Sequence, residues 1–274
     1  MFEVIRKELR ANAKALAVWA LVMAFFMGVG TMKFSGAESV TDAGNMQELL
    51  AKFPRIVLAV FGMGDAGAID ISTFPGFYAV LWFYAAVIEI AAAVSFGRSA
   101  VTREIADGTC EFLFVRPVSR ARVLGAKLAA AAVETAVLAL ACWVGSVAAY
   151  PALGLDADPG ALFARAALGL LGLGLVFLCA GAACAAVARH VERGALAGNC
   201  LVLAAYLMSV AYDMFSDKGA GDVLRVLSPI RWWLPRQLVK GTLDAGFIAL
   251  GVGVAAACLA ITFAAFSRRD LVER

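Results

Sequence analysis

Residues 98–127 read RSAVTREIADGTCEFLFVRPVSRARVLGAK, a charged stretch between two strongly apolar segments. It contains six Lys or Arg residues and three acidic residues, although charged residues make up only 16% of the chain. A membrane protein that concentrates basic charge in one connection between helices marks its cytoplasmic side in this way. The stretch therefore predicts a cytoplasmic loop between two membrane-spanning helices.

Within this loop the sequence predicts a short helix between two breaks. Gly108 interrupts a helical pattern, and Thr109 can cap a new helix whose first turn holds Glu111, where a negative charge suits the helix dipole. Pro117 ends that helix, because the residue before a proline is disfavoured in the α region. A short helix with apolar side chains between two spans predicts a docking surface, which we call the coupling segment, within loop 98–123. Its predicted residues are Arg103, Glu104, Gly108, Thr109, Glu111, Phe112, Leu113, Pro117 and Arg120.

The composition places the chain in a membrane. It is 62% hydrophobic with a mean hydropathy of +0.84, whereas soluble domains are about 45–50% apolar. The net charge is only +3, without a polar domain that clusters basic and aromatic residues, which argues against a nucleic-acid partner. There is one histidine, His190, and no C-x-x-C pair, so we expect no metal site and no disulfide.

Six stretches are apolar and long enough to cross a bilayer at roughly 20 residues per crossing. They cover about residues 15–32, 77–97, 124–148, 163–188, 195–212 and 245–266. The predicted fold is an all-α integral membrane protein, with six transmembrane helices in a single domain over residues 1–274. In this arrangement 15 of the 24 Lys and Arg residues lie on one side. That asymmetry predicts that both termini are cytoplasmic.

Residues 1–14, MFEVIRKELRANAK, place Phe2, Ile5 and Leu9 at helical spacing between basic residues. This pattern predicts an amphipathic helix that lies at the membrane surface before the first span, an elbow helix. The alternative is a plain positive flank that only orients the first span. A signal peptide is disfavoured, because no small-residue cleavage site directly follows the apolar run.

Glu89 and Glu134 are the two carboxylates well inside predicted spans. Intramembrane charges are costly, so each is a functional-site candidate: a substrate contact, a proton-linked step, or a pair between spans two and three. The alternative is a structural hydrogen bond or a position beside a water-filled vestibule. Gly194 and Gly198 open the fifth span four residues apart, a spacing that lets helices approach closely. The sequence does not distinguish whether this glycine pair forms a subunit interface or packs within one subunit.

A membrane protease is a more remote hypothesis. Residues 62–65, Gly-Met-Gly-Asp, match the G-x-G-D of intramembrane aspartyl proteases, and Tyr212-Asp213 matches their Y-D partner. The two motifs occur in the reverse order, however, and both aspartates fall at span ends or in outer loops. Paired aspartates in such positions are solvated and poorly placed for acid–base chemistry.

One run of residues resembles the cytoplasmic loop of type 2 ABC exporter permeases. Its members are Glu104, Gly108, Thr109, Glu111, Pro117, Ser119, Arg120 and Lys127. The closing FSRRDL, residues 266–271, is similar to the family's ending after its sixth span, and the amphipathic start resembles its elbow helix. The apolar part of the run, CEFLF, differs from the family in having phenylalanines where leucines are more usual.

The resemblance implies a permease of the cytoplasmic (plasma) membrane, the inner membrane of the cell. It would pair with a second permease subunit, identical or a sister, and with two copies of a separate ABC ATPase. The coupling segment would rest in a groove of that ATPase, which would bind ATP and Mg²⁺. This chain would bind no cofactor and carry no catalytic residue. The residues themselves support the expectation that this chain cannot hydrolyse ATP alone. A phosphate-binding loop needs a Gly-Lys step, and the chain has no Gly-Lys dipeptide. The alternatives are an ion-coupled carrier or channel that uses Glu89 and Glu134, and a membrane scaffold. The sequence does not identify the substrate.

Overall fold

The computed structural model of the chain describes residues 2–40, 52–63, 70–106, 119–188, 190–215, 221–233, 237, 240–242 and 244–268. Their helices are α1 (Phe2–Val40), α2 (Arg55–Val60), α3 (Phe74–Ala106), α4 (Arg120–Ala149), α5 (Gly160–Val187), α6 (Val191–Phe215), α7 (Gly221–Leu227) and α8 (Ala245–Arg268). Short 3-10 helices follow at Tyr150–Leu153 and Pro229–Trp232. No strand occurs among the described residues.

Six of these helices, α1, α3, α4, α5, α6 and α8, are long and apolar enough to cross a bilayer. The predicted all-α fold with six transmembrane helices is therefore confirmed. The helices extend past the predicted apolar spans, α3 by nine residues beyond residue 97, because a helix that leaves the hydrocarbon can continue with polar residues.

The first 14 residues are the beginning of α1, which continues without a break from Phe2 to Val40. No proline or glycine occurs in this helix before Gly28, so nothing in the local sequence interrupts it. The predicted interfacial helix and the first span thus share one helix. The position of residues 1–14 at a membrane surface stays a prediction.

The bundle has a buried centre and an exposed periphery. In the most apolar 18-residue window of each helix, 72% of the residues of α3 and 67% of those of α5 are buried, against 17% for α1, 22% for α6 and 11% for α8. The outward faces of the peripheral helices are apolar: Leu21 is 71% exposed, Leu207 is 54% exposed and Val252 is 65% exposed. Such faces contact lipid or a second membrane subunit.

The central pair, α3 and α5, is the most extensive helix contact in the bundle. Glycines bring the two backbones together. A Cβ added at Gly181 of α5 would lie 2.7 Å from the carbonyl oxygen of Val94, and one added at Gly97 of α3 would overlap the carbonyl oxygen of Leu178. Small residues at helix crossings in membranes permit this close van der Waals packing, which stabilises the pair.

The two ends of the bundle differ in chemistry. At one end, which we call the basic end, the start of α1 meets the end of α3 and the start of α4 through ion pairs. At the other, the aromatic end, rings of Phe34, Phe74, Tyr150 and Phe163 pack with centroids 5.0 to 6.0 Å apart. The end of α3 and the start of α4, between which the coupling segment lies in the sequence, are both at the basic end.

Candidate functional site

Five polar side chains from three helices meet at the basic end. Arg103 of α3 and Lys127 of α4 are both paired with Glu8 of α1, at 3.3 Å from Nη1 to Oε2 and 3.6 Å from Nζ to Oε1. Arg103 also donates from Nη2 to Oδ1 of Asn12, and Asn12 donates from Nδ2 to Oε1 of Glu134 at 2.7 Å. We call these five residues the basic-end cluster.

The formal charges of this cluster balance, with two acids and two bases. Glu8, Lys127 and Glu134 are buried, and buried charges are costly unless they are paired and hydrogen-bonded. The contacts therefore hold α1 in one position against α3 and α4. Arg103 lies in the last turn of α3 and Lys127 in the third turn of α4, so the cluster joins α1 to both helices that flank the coupling segment.

The predicted coupling segment is only partly within the described residues. Arg103 belongs to the basic-end cluster, Glu104 lies in the last turn of α3, and Arg120 is the exposed first residue of α4. The others lie outside the described residues: Gly108, Thr109, Glu111, Phe112, Leu113 and Pro117. The predicted short helix within the loop stays a prediction.

Glu8 and Asn12 are members of the site that sequence reasoning missed. The amphipathic pattern of residues 1–14 drew attention to their apolar face, yet Phe2 is 75% exposed and Glu8 is buried. Glu8 thus faces the protein, while the basic residues of this stretch are exposed. One signal was present: Glu8 and Asn12 are four residues apart, on one helical face, among basic neighbours.

The structure gives the two intramembrane carboxylates different surroundings. Glu134 accepts a hydrogen bond from Asn12 of α1, while its Oε2 has no hydrogen-bond partner among the described residues. Glu89 lies near the middle of α3, fully buried, and neither of its carboxylate oxygens has a partner in the described part of the chain. It faces α5, where a Cβ at Gly174 would lie 2.7 Å from Oε1. The two residues belong to separate environments.

Gly194 and Gly198 of α6 both face helices of the same chain. A Cβ at Gly194 would lie 3.2 Å from the Cα of Ala185 in α5, and one at Gly198 would lie 2.9 Å from Cγ1 of Val94 in α3. Both glycines are buried. Their geometry thus matches the packing within one subunit. A contact with a second subunit at these glycines stays a prediction.

A buried ion pair, which the sequence analysis did not anticipate, lies near the aromatic end of α6. Arg231 is ion-paired with Asp213 and donates from Nε to Oγ of Ser209 at 2.8 Å. The pair fixes the 3-10 helix Pro229–Trp232 against α6. The expectation that Asp213, the second aspartate of the protease hypothesis, is solvated was therefore wrong, since the residue is buried and has a structural partner. Asp65, the first aspartate, lies outside the described residues.

Comparison with known protein families identifies the family of the chain. A model described as ABC-2 family transporter protein matches residues 2–271. The chain belongs to the ABC-2 transporter family. The match confirms the resemblance seen in the loop, since it covers nearly the whole chain and its six spans. This ABC-2 protein is a multi-pass membrane permease, and membrane subunits of the family generally pair with ATPase subunits. Among proteins of curated function, none matches the chain.

Proposed function

We propose that this ABC-2 protein is the membrane-spanning subunit of an ATP-driven exporter that moves its substrate across the cytoplasmic membrane. A separate ATPase hydrolyses ATP and docks at the coupling segment, and this chain itself is not catalytic. The observation that carries the proposal is the basic-end cluster. It ties α1 to the two helices that lead into and out of the coupling segment.

The packing supports a route by which the ATPase acts on the membrane helices. When two ATPase copies close on ATP, they displace the coupling segment and with it the ends of α3 and α4. Glu8 is ion-paired to both helices, so α1 moves with them. The close contact of α3 with α5 carries the displacement to the centre of the bundle. A second permease subunit, identical or a sister, completes the path, which opens between the two.

The proposal requires the basic end to lie in the cytoplasm, with both termini. The distribution of charge supports this orientation. Arg6, Lys7, Arg10 and Lys14 are exposed at the start of α1. Exposed basic residues next to membrane spans are retained on the cytoplasmic side.

The decisive test is co-purification of the tagged chain in mild detergent, followed by identification of the proteins recovered. We expect a soluble ATPase with a phosphate-binding Gly-Lys loop, and we expect its recovery to be lost in Gly108→Pro and strongly reduced in Glu111→Lys. Asp222→Lys is the matched control, because it makes the same charge reversal at an exposed residue of α7, away from the basic end. It should retain the ATPase. Recovery of the folded chain without any ATPase contradicts the proposal, as does an equal loss in the control.

A further inference from the structure

A cavity of about 490 Å³ opens at the aromatic end of the bundle. Its walls come from four stretches of the chain: the C-terminal half of α1, residues 72–75 at the beginning of α3, Tyr150 just after α4, and residues 155–165 in the loop before α5 and its beginning. The basic-end cluster lies at the opposite end of α1 and α3. Small-molecule sites in proteins have volumes of about 300–1,000 Å³, so this cavity has the size of a ligand site.

The wall of the cavity is aromatic and apolar. Phe34, Phe74, Tyr150 and Leu162 line it, and the ring centroids of Phe74 lie 5.5 Å from Phe34 and 5.0 Å from Tyr150. The hydroxyl of Tyr150 donates to the carbonyl oxygen of Ala157 at 2.7 Å, so its hydrogen is already used within the chain. The wall suits the apolar body of a ligand, and aromatic faces also attract cations.

The polar groups of the cavity favour a cation. The hydroxyls of Ser72 and Thr73 donate to Asp70, at 2.5 Å and 2.7 Å. Arg165 is also engaged within the chain. The carboxylates of Asp156 and Asp158 lie at the exposed rim, and Asp158 uses Oδ1 to accept the amide hydrogen of Gly160 at 2.9 Å. Arg165 keeps its positive charge, so two carboxylates and one guanidinium leave the cavity lining with a formal charge of −1, which favours a cation.

We propose that this cavity binds a small organic cation, an ammonium group carried on an apolar or aromatic body. The apolar body packs against Phe34, Phe74 and Tyr150, and the ammonium group lies at the rim beside Asp156 and Asp158. The carboxylates of the rim stabilise the charge, and the aromatic wall contacts the apolar body. The site is independent of the coupling segment, so it stands or falls separately from the proposed ATPase partnership.

The test compares two probes that share a benzyl body and carry opposite permanent charges, benzyltrimethylammonium and benzylsulfonate. Each is titrated against the purified chain in lipid nanodiscs, with binding followed by saturation-transfer NMR and empty nanodiscs as the blank. We expect saturable binding of the cation, at least about tenfold tighter than that of the anion. Absence of saturable cation binding overturns the proposal, and so does equal binding of the anion.

Variants of the chain test the two parts of the site. Asp156→Asn combined with Asp158→Asn removes the charge and keeps an acceptor for the amide of Gly160, so cation binding should weaken about tenfold. Ala161→Phe fills the cavity from its exposed lining residue and should abolish binding. Ala164→Phe, one turn further along α5, exposed and outside the lining, is the matched control and should bind like the parent chain. Unchanged binding in the double asparagine variant refutes the assignment, even if Ala161→Phe fails to fold.

Discussion

Glu8 is a single side chain shared by two cations, Arg103 and Lys127, from two different helices. Glu8→Gln removes this counter-charge. Breaking a buried pair costs about 3–5 kcal/mol, and because the side chain of Arg103 is 28% exposed and partly screened by water, we expect the free energy of unfolding to fall by about 2–3 kcal/mol. The change is measured as a lower midpoint of thermal unfolding in detergent. It should also reduce transport more than ATPase association, since the coupling segment itself is unchanged.

The control for this prediction is Glu3→Gln. Glu3 lies on the same helix and is exposed, so the same change of charge should shift the free energy of unfolding by less than about 0.5 kcal/mol. An equal loss in both variants would show that the net charge of the N-terminal helix matters, and that the ion pairs of Glu8 do not.

Glu89 separates the exporter from the ion-coupled carrier, because it is a fully buried carboxylate without a hydrogen-bond partner among the described residues. Glu89→Gln keeps the shape of the side chain and removes the possibility of a charge. We expect the variant to fold, to keep the ATPase and to transport at the parental rate. Transport in proteoliposomes, with and without ATP and with and without an imposed proton gradient, measures this. A parent that transports on the gradient alone, and a variant that does not, would favour the carrier.

At the scale of helices, the contact between α3 and α5 depends on glycine. An added Cβ at Gly181 meets the carbonyl oxygen of Val94, a backbone atom that cannot rotate away, whereas Gly253 of α8 has nothing within 4 Å. Gly181→Ala should therefore lower the free energy of unfolding by about 1–3 kcal/mol, the usual cost of overpacking. Gly253→Ala should raise it by about 0.5–1 kcal/mol, because alanine loses less backbone entropy in a helix.

Thermal unfolding of the two variants in the same detergent gives the comparison directly. A neutral Gly181→Ala would mean that α3 and α5 can separate without cost, which would also weaken the route by which displacement passes from α3 to the centre of the bundle. The sequence drew attention to the glycine pair of α6. Which glycines of the other helices meet a backbone depends on how each helix is rotated about its axis, and hydropathy does not report that rotation.

At the scale of the whole molecule, the proposed orientation places the turn before α6 in the cytoplasm and loop 155–159 outside. We expect a membrane-impermeant maleimide to label Ala157→Cys in intact cells, and to label Glu192→Cys only after permeabilisation. Both residues are exposed, and both variants are made in a chain whose six native cysteines are replaced by alanine. Labelling of Glu192→Cys in intact cells would reverse the orientation and remove the coupling segment from the ATPase.

The sequence by itself determined the fold class, the six spans and the family. Each of these depends on properties that add along the chain: the length of an apolar run, the side on which Lys and Arg accumulate, and the order of Gly, Pro and charged residues in loop 98–123. These properties can be determined without knowing which residues are in contact. The same reasoning selected Arg103 and Glu134 as site candidates, although not as members of one cluster.

Only the tertiary structure joined Glu8 and Asn12 to Arg103, Lys127 and Glu134. These residues are up to 126 positions apart, and their meeting depends on how α1, α3 and α4 are rotated and crossed. The same holds for the cavity at the aromatic end, whose walls come from four separate segments. In the sequence Glu8 is one charged residue among several at the start of α1, and hydropathy does not distinguish it from its exposed basic neighbours. Whether it faces water, lipid or a partner is decided by packing, because the cost of burying it is offset only where the partner is present.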